Sequence, residues 1–313
     1  MRFAIPAARR RRWLVAALGC LVGLAAAGCC GHEHAVQPYL GPTLTMDQLA
    51  QRINDNNQKV NSIFSQLAGF TVEFVDDHGA SHRYSGDGGL LLYLKPGDLY
   101  LRGDSPFGSE FEIGTTADTY WLKIVRSDML WHGTYAHFEE ARRQLPIEPR
   151  LLLEVLAAAV IDSNFLQPPV PVMRFDVFAD AYVLVWNVPL PDRWVAQKEI
   201  WYDRQTLNPT QVRLYDANGR MSVQAKLSEH QRLPYAQDDS TSPGSPVIAT
   251  HYDLFFTDAN THLSVSLSFP SQVKTKAKPI PNAAMFEFLV KSLQEPGVSK
   301  VIDLDQQGSH GEK

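Results

Sequence analysis

LSVSLSF, residues 263–269, alternates without a fault: Leu263, Val265, Leu267 and Phe269 fall to one side, Ser264, Ser266 and Ser268 to the other. A period of two is that of an extended strand, whose successive side chains point to opposite faces. A sheet built from such strands has one greasy face, and another layer must cover it. Outward from this run the chain repeats the theme. Residues 70–75 (FTVEFV), 89–94 (GLLLYL), 98–102, 109–114, 119–125 (TYWLKIV), 172–178, 182–188, 197–202, 211–215, 221–227 and 248–257 all read as short strands. Gly86-Asp87-Gly88-Gly89, Lys95-Pro96-Gly97, Asn208-Pro209 and Asp216-Ala217-Asn218-Gly219 punctuate them as turns.

Four helices are predicted among the strands. Leu49, Ile53, Val60, Ile63, Phe64 and Leu67 recur at helical spacing behind Thr45, Met46 and Asp47, an opening amphipathic helix. Residues 136–144 form a short charged helix. Residues 150–161 (RLLLEVLAAAVI), preceded by Pro146 and Pro149, form an apolar helix buried on most faces. Phe286, Phe288, Leu289 and Leu293 mark a modest last helix, and the polar tail over 294–313 reads as loose. The first helix and the apolar one are the available covers for the sheet. The expected fold class is mainly β with α: about eleven antiparallel strands, wrapped by a few helices, over residues 46–293.

The N-terminus carries an export signal. Arg2 and Arg9 to Arg12 precede an uncharged run from Trp13 to Ala27, and Ala25, Ala26, Ala27 and Gly28 lead into Cys29. That run is about 15 residues, shorter than the roughly 20 of a membrane-spanning helix. Leu24-Ala-Ala-Ala-Gly28-Cys29 resembles a bacterial lipobox, with Ala26 where Leu is preferred; the arginine block with Trp13-Leu14 is also loosely similar to a twin-arginine signal. The reading is a signal peptide over 1–28 and lipid attachment at Cys29, with Cys30 as the alternative acceptor. Acyl chains on such a cysteine contribute about 0.8 kcal/mol per buried CH₂, enough in combination for stable anchoring. Residues 29–45, polar and carrying Pro38 and Pro42, read as the lipidated tether; His32-Glu33-His34 on it lacks the framework of a metal site.

Cleavage removes five of the 29 Lys and Arg residues and none of the 34 Asp and Glu, leaving 24 against 34 and a net charge near −10. That balance argues against nucleic acid as a partner. All three cysteines lie within the first 30 residues, so an ordinary core, not disulfides, holds the body. Enzyme motifs are missing: no G-x-S-x-G elbow, no H-E-x-x-H helix, no phosphate loop opening a helix. Asp76, Asp77, His78 and His82 read as residues of a hairpin turn. The expectation is no catalytic residue, no metal and no cofactor.

The passage GDGGLLLYLKPGDLYLR (residues 86–102), then SPFGS (105–109), the strand containing Trp121, and YDRQTLNP (202–209) leading to VRLYDANG (212–219) resemble the LolA/LolB superfamily of periplasmic lipoprotein carriers and receptors. The likeness runs over residues 46–286. It implies a half-open β-barrel closed by helices, with an apolar cavity for acyl chains. The one-face sets then become candidate walls: Leu99 and Leu101; Phe111 and Ile113; Tyr120, Leu122 and Ile124; Tyr182, Leu184 and Trp186; Leu263, Val265 and Leu267. A packed core is lined alike, so sequence leaves cavity and filled interior both open. Phe107, between Pro106 and Gly108, matches by its loop the exposed apolar residue with which the family's receptor meets the membrane. Lys274, Lys276 and Lys278 form a small basic stripe, read as a solvated edge or as a contact for anionic headgroups. The resemblance implies a lipid-anchored envelope protein that binds acyl chains of lipids or lipoproteins, receiving cargo from a soluble periplasmic carrier. Cys30, in place of an aspartate, resembles an outer-membrane address facing the periplasm. The alternative is a static envelope scaffold built on the same module.

Overall fold

The computed structural model describes residues 39–75, 79–138, 145, 147–233, 244–269, 281–294 and 297–307, all within the unit Tyr39–Lys313. The signal segment, Cys29, the tether as far as residue 38, residues 76–78, most of the expected 136–144 helix, much of the 237–246 loop and the Lys274–Lys278 stripe lie outside the described residues.

Helix α1 (Met46–Asn57) starts at Thr45, whose hydroxyl accepts from the Gln48 amide while the Gln48 side chain accepts from the Thr45 amide. This reciprocal cap satisfies two amide groups that the first helical turn leaves orphaned. Here the sequence expectation needs correcting: the helix stops at Asn57, and Val60, Ile63, Phe64 and Leu67 do not continue it. Ser62–Val75 is β1, a strand of 14 residues. Ile63 and Leu67 are four apart, a spacing that a helix face and alternate strand positions share. Pairing with two neighbouring strands decides between them.

The strands that follow are β2 (Ser81–Gly86), β3 (Gly88–Leu94), β4 (Asp98–Ser105), β5 (Gly108–Thr115), β6 (Thr119–Ile124) and β7 (Met129–Thr134). After the short helix α2 (Pro149–Val155) come β8 (Val170–Asp176), β9 (Ala181–Pro189), β10 (Trp194–Asp203), β11 (Pro209–Tyr215) and β12 (Met221–Ser228). A two-stranded ribbon, β13 (Gln231–Arg232) with β14 (Val247–Ile248), precedes β15 (His251–Phe256), β16 (Thr261–Ser268), helix α3 (Ala283–Ser292), β17 (Lys300–Asp303) and the last turn α4 (Leu304–Gln307).

All but the ribbon join one sheet of 15 strands, in the order β17-β7-β6-β5-β4-β3-β1-β16-β15-β12-β11-β10-β9-β8, with β2 on β1. The expected count of about eleven was therefore low. It missed β2, whose burial shows no inner face, β7, and β17 in the supposed tail. β17 pairs with β7 in parallel and Leu304 is buried beneath it, so the tail is structured as far as residue 307. β17 and β8 end the path without pairing to each other, which makes the sheet an open barrel. Its inner face supplies one continuous core with α1 and α2, from Leu49 and Ile63 through Leu99 and Leu122 to Leu184 and Val265.

The registers place the turns on two rims. The turns at 95–97, 116–118, 177–180 and 204–208 share one rim; those at 106–107, 125–128, 190–193, 216–220 and 257–260 share the other.

Candidate functional site

Helix α2 lies across the inner face with Pro149 at its first turn. Leu152, Val155 and Leu156 point at the sheet and are buried in the core. The predicted helix over 150–161 is cut to seven residues because Ala157 takes a left-handed φ of 52°. Beyond it α1 holds the chain through asparagines. Asn57 Nδ2 donates to the carbonyls of Ala157 and Ala159 at 3.0 and 2.8 Å, and Asn54 exchanges two 2.8 Å bonds with the backbone of Ile161. Two polar contacts secure α2, one to the sheet and one to Tyr135 just past β7. Lys198 Nζ donates to Glu154 at 2.6 Å and sits 4.9 Å from the centre of the Trp186 ring. The Arg150 guanidinium lies 3.5 Å from the centre of the Tyr135 ring.

Between α2 and the sheet is a cavity of about 40 Å³ lined by Leu91, Leu99, Leu101, Leu152, Val155, Leu156, Tyr252, Leu254, Leu263, Val265 and Leu267. Tyr252 is the one lining residue with a polar side chain, and its hydroxyl is buried and without a hydrogen-bond partner among the described residues. Burial holds the pKa of that phenol well above its ordinary value, so it stays a neutral donor. A buried hydroxyl left unpaired costs about 1–3 kcal/mol. A chain carbonyl brought to it would recover that.

Of the predicted wall residues, Leu99, Leu101, Leu263, Val265 and Leu267 line this cavity. Phe111, Ile113, Tyr120, Leu122, Tyr182, Leu184 and Trp186 are buried in the same core, and Ile124 packs against it partly buried, but none of these borders the space. Sequence reasoning missed Leu91, the three α2 side chains, Leu254 and Tyr252. The signals were there: Leu152, Val155 and Leu156 sit three and four apart, and HYDLFF (251–256) alternates at Tyr252, Leu254 and Phe256. Phe107 stands 92% exposed in the turn between β4 and β5, its amide donating to Ser105 Oγ at 3.2 Å. His82 is in β2, stacked on Phe74.

The outer face differs. Where β2 leaves β1, a wide groove of about 440 Å³ is lined by Arg83, Ser85, Ser264 and Ser266 among others. Phe70 is the one large apolar residue among its lining. Over β3, β4, β6 and β7, by contrast, α3 covers Leu92, Tyr100, Trp121 and Leu130 with Phe286.

The chain is similar to several solved structures. A Vibrio parahaemolyticus domain named for outer membrane lipoprotein sorting matches 78% of this chain and 97% of its own, at 10% identity and a TM-score of 0.43. The LolA superfamily protein NE2245 from Nitrosomonas europaea matches 75% of this chain and 98% of its own, at 10% identity and a TM-score of 0.41. A DUF1329 family protein from Desulfovibrio piger matches 74% and 93%, at 9% identity and a TM-score of 0.44. Identities this low make it a likeness of fold alone. No family model and no curated protein matches the sequence.

Proposed function

We propose that this protein is a lipid-anchored envelope lipoprotein, attached through Cys29, that takes an acyl chain of a lipid or lipoprotein between α2 and the inner face of the sheet. In this reading it works in acyl-chain transport or insertion at the bacterial outer membrane, accepting cargo from a soluble carrier. The observation that carries the reading is the Tyr252 hydroxyl, a lone unpaired donor in an otherwise aliphatic space under a short, lightly latched helix.

At about 40 Å³ the space is closed to any such cargo, since pockets that bury small ligands run to roughly 300–1,000 Å³. Binding therefore requires α2 to lift. Uncovering Leu152, Val155 and Leu156 costs roughly 1.5–3 kcal/mol each. Burying a chain of about 14 methylenes returns roughly 11 kcal/mol at about 0.8 kcal/mol each. The exchange favours the ligand, and the Lys198–Glu154 pair acts as its latch. Tyr252 donates to the ester or amide carbonyl at the head of the chain.

A second reading, a static scaffold, is favoured by the same small volume: the interior is nearly full. Fluorescent palmitate uptake, with lipid extraction and mass spectrometry of the purified protein, separates the two. A carrier shows saturable uptake, faster in Glu154→Ala. Tyr252→Phe weakens an acyl ester several-fold while leaving a plain alkyl probe unchanged. No co-purifying lipid and no saturable uptake in any variant leaves the scaffold.

A further inference from the structure

We propose that the tip of the β8–β9 hairpin, Val177 and Phe178, together with Leu40, is the face this protein lays on a phospholipid bilayer. The proposal rests on the reading of Cys29 as the lipid anchor. It places the Phe107 turn on the rim away from the membrane.

Phe178, Leu40 and Val177 are 95%, 94% and 73% exposed. They are presented on a rigid mount. Asp176 Oδ1 accepts from the amides of Phe178 and Ala179 at 3.1 and 3.0 Å, which closes the turn and turns both apolar side chains outward. The buried Asp180 carboxylate receives the Tyr39 amide and pairs with Arg204 Nη1 at 3.1 Å. Arg204 in turn donates to the Tyr39 carbonyl and to Thr43 Oγ1, each at 3.3 Å, beneath the rings of Tyr39, Phe175 and Tyr182. Leu44 donates its amide to the Tyr182 hydroxyl at 2.8 Å. The chain thus enters the domain clamped to this hairpin, and Leu40 stands next to its tip.

The occupant follows from the length of chain that precedes the clamp. Cys29 lies ten residues before Tyr39, a reach of at most about 35 Å at roughly 3.3–3.6 Å per residue. Strands of eight to ten residues are about 27–33 Å long, and the usual barrel tilt of about 40° makes the wall about 20–25 Å tall. A bilayer holding the Cys29 acyl chains meets the 177–180 rim first. Bringing the opposite rim down would need most of the tether drawn out along the wall. On that opposite rim Phe107, in the β4–β5 turn, and Trp194, at the start of β10, are set apart by the six strands from β3 to β11 in the sheet order. At the tip itself the charges are engaged: Arg204 is nearly buried, and Asp176 is held by the turn. Docking is therefore apolar, of the shallow interfacial kind.

The test uses the mature full chain carrying Cys30→Ser and a single added cysteine, Phe178→Cys, Leu40→Cys or Phe107→Cys, labelled with an environment-sensitive fluorophore and bound to phosphatidylcholine vesicles containing a shallow spin-labelled quencher. Labels at 178 and 40 should shift to the blue and be quenched at least threefold more than the label at 107, equally in 0.05 and 0.5 M salt. All three sites are exposed, so unchanged thermal midpoints confirm folding. Quenching at 107 equal to or above that at 178, or at neither, overturns the proposal. So does a label at 178 that stays wet on vesicles but is shielded in a cross-linked dimer, which would make the patch a contact between copies. The mass of the N-terminal peptide from the same preparation reports lipidation separately. An unmodified Cys29 with quenching at 178 rejects the anchor and retains the docking face.

Discussion

β16 and β3 sit in one sheet with only β1 between them, yet their sequences obey different rules. β16, THLSVSLS, is buried at every second residue and half-open at the rest. β3, GGLLLYL, runs apolar without a break. In β3, Leu91 and Tyr93 face the inner core, whereas Leu92 faces outward with Leu90 and Leu94 beside it, and Phe286, Met285 and Leu289 of α3 cover them. Nothing among the described residues covers the outer face of β16, which carries Ser264, Ser266 and Ser268. An unbroken apolar run in a strand thus marks a second cover, and alternation marks a wet face. Among the described residues, the sheet has a helix on its inner face alone at the serine strand β16, and helices on both faces at the leucine strand β3.

The largest effect should come from putting one charge on each side of β16. Val265→Asp buries a carboxylate against Leu101, Leu156 and Tyr252 with no cation among the lining residues and at most the Tyr252 hydroxyl to bond it, a cost of several kcal/mol against a total stability of about 5–15 kcal/mol. Ser266→Asp points to solvent beside His251, whose Nδ1 lies 2.9 Å from the serine hydroxyl, and should change stability by no more than about 0.5 kcal/mol. Thermal unfolding of the two variants reads the difference, at about 2–4 °C per kcal/mol for a chain of this size. Equal tolerance of both would mean that the inner face is wet, and would end the comparison.

Phe286→Ala tests the second cover. Phe286 is buried with Trp121 and Tyr100, and its loss should cost about 3 kcal/mol. Phe288, two residues on and largely exposed, should be replaceable by serine within about 0.5 kcal/mol. If Phe286→Ala is as mild as Phe288→Ser in urea denaturation, α3 is not what keeps Leu92 dry.

Much of the sheet could be read from the chain because alternation, turn residues and apolar runs are local properties. LSVSLSF, the Lys95-Pro96-Gly97 turn and the Asp216–Gly219 turn all stand where expected. What could not be read depends on partners far away in sequence. Ile63 and Leu67 satisfied two periods at once until β3 and β16 claimed the segment. β17 shows four residues, KVID, whose strand exists only because β7 offers an edge. The asparagines that end α1 look like helix-breaking polarity, yet they cap a segment about a hundred residues further on. The Asp180–Arg204 clamp is the same case, an ordinary turn aspartate whose use appears only when the entering chain is in place. The interior was legible as apolar. Its cavity was not, because closure depends on where α2 lies and on which side chains fall short of it.

The smallest effect concerns what replaces apolar burial on the wet side of β16. His262 Nε2 and Asp253 Oδ1 lie 2.5 Å apart on the outer face, across the pairing of β16 with β15. Both side chains are about one-third exposed, so solvent screens the pair and its desolvation is slight. A double-mutant cycle with His262→Gln and Asp253→Asn should give a coupling of about 0.2–1 kcal/mol, the usual range for a cross-strand polar pair. The value matters because two leucines at equivalent places under α3 contribute several times more. A coupling near zero would mean that β16 is held by its inner face and backbone ladder alone. A coupling above about 2 kcal/mol would mean that this face is shielded from water after all, and would require a cover over β16 comparable to α3 over β3.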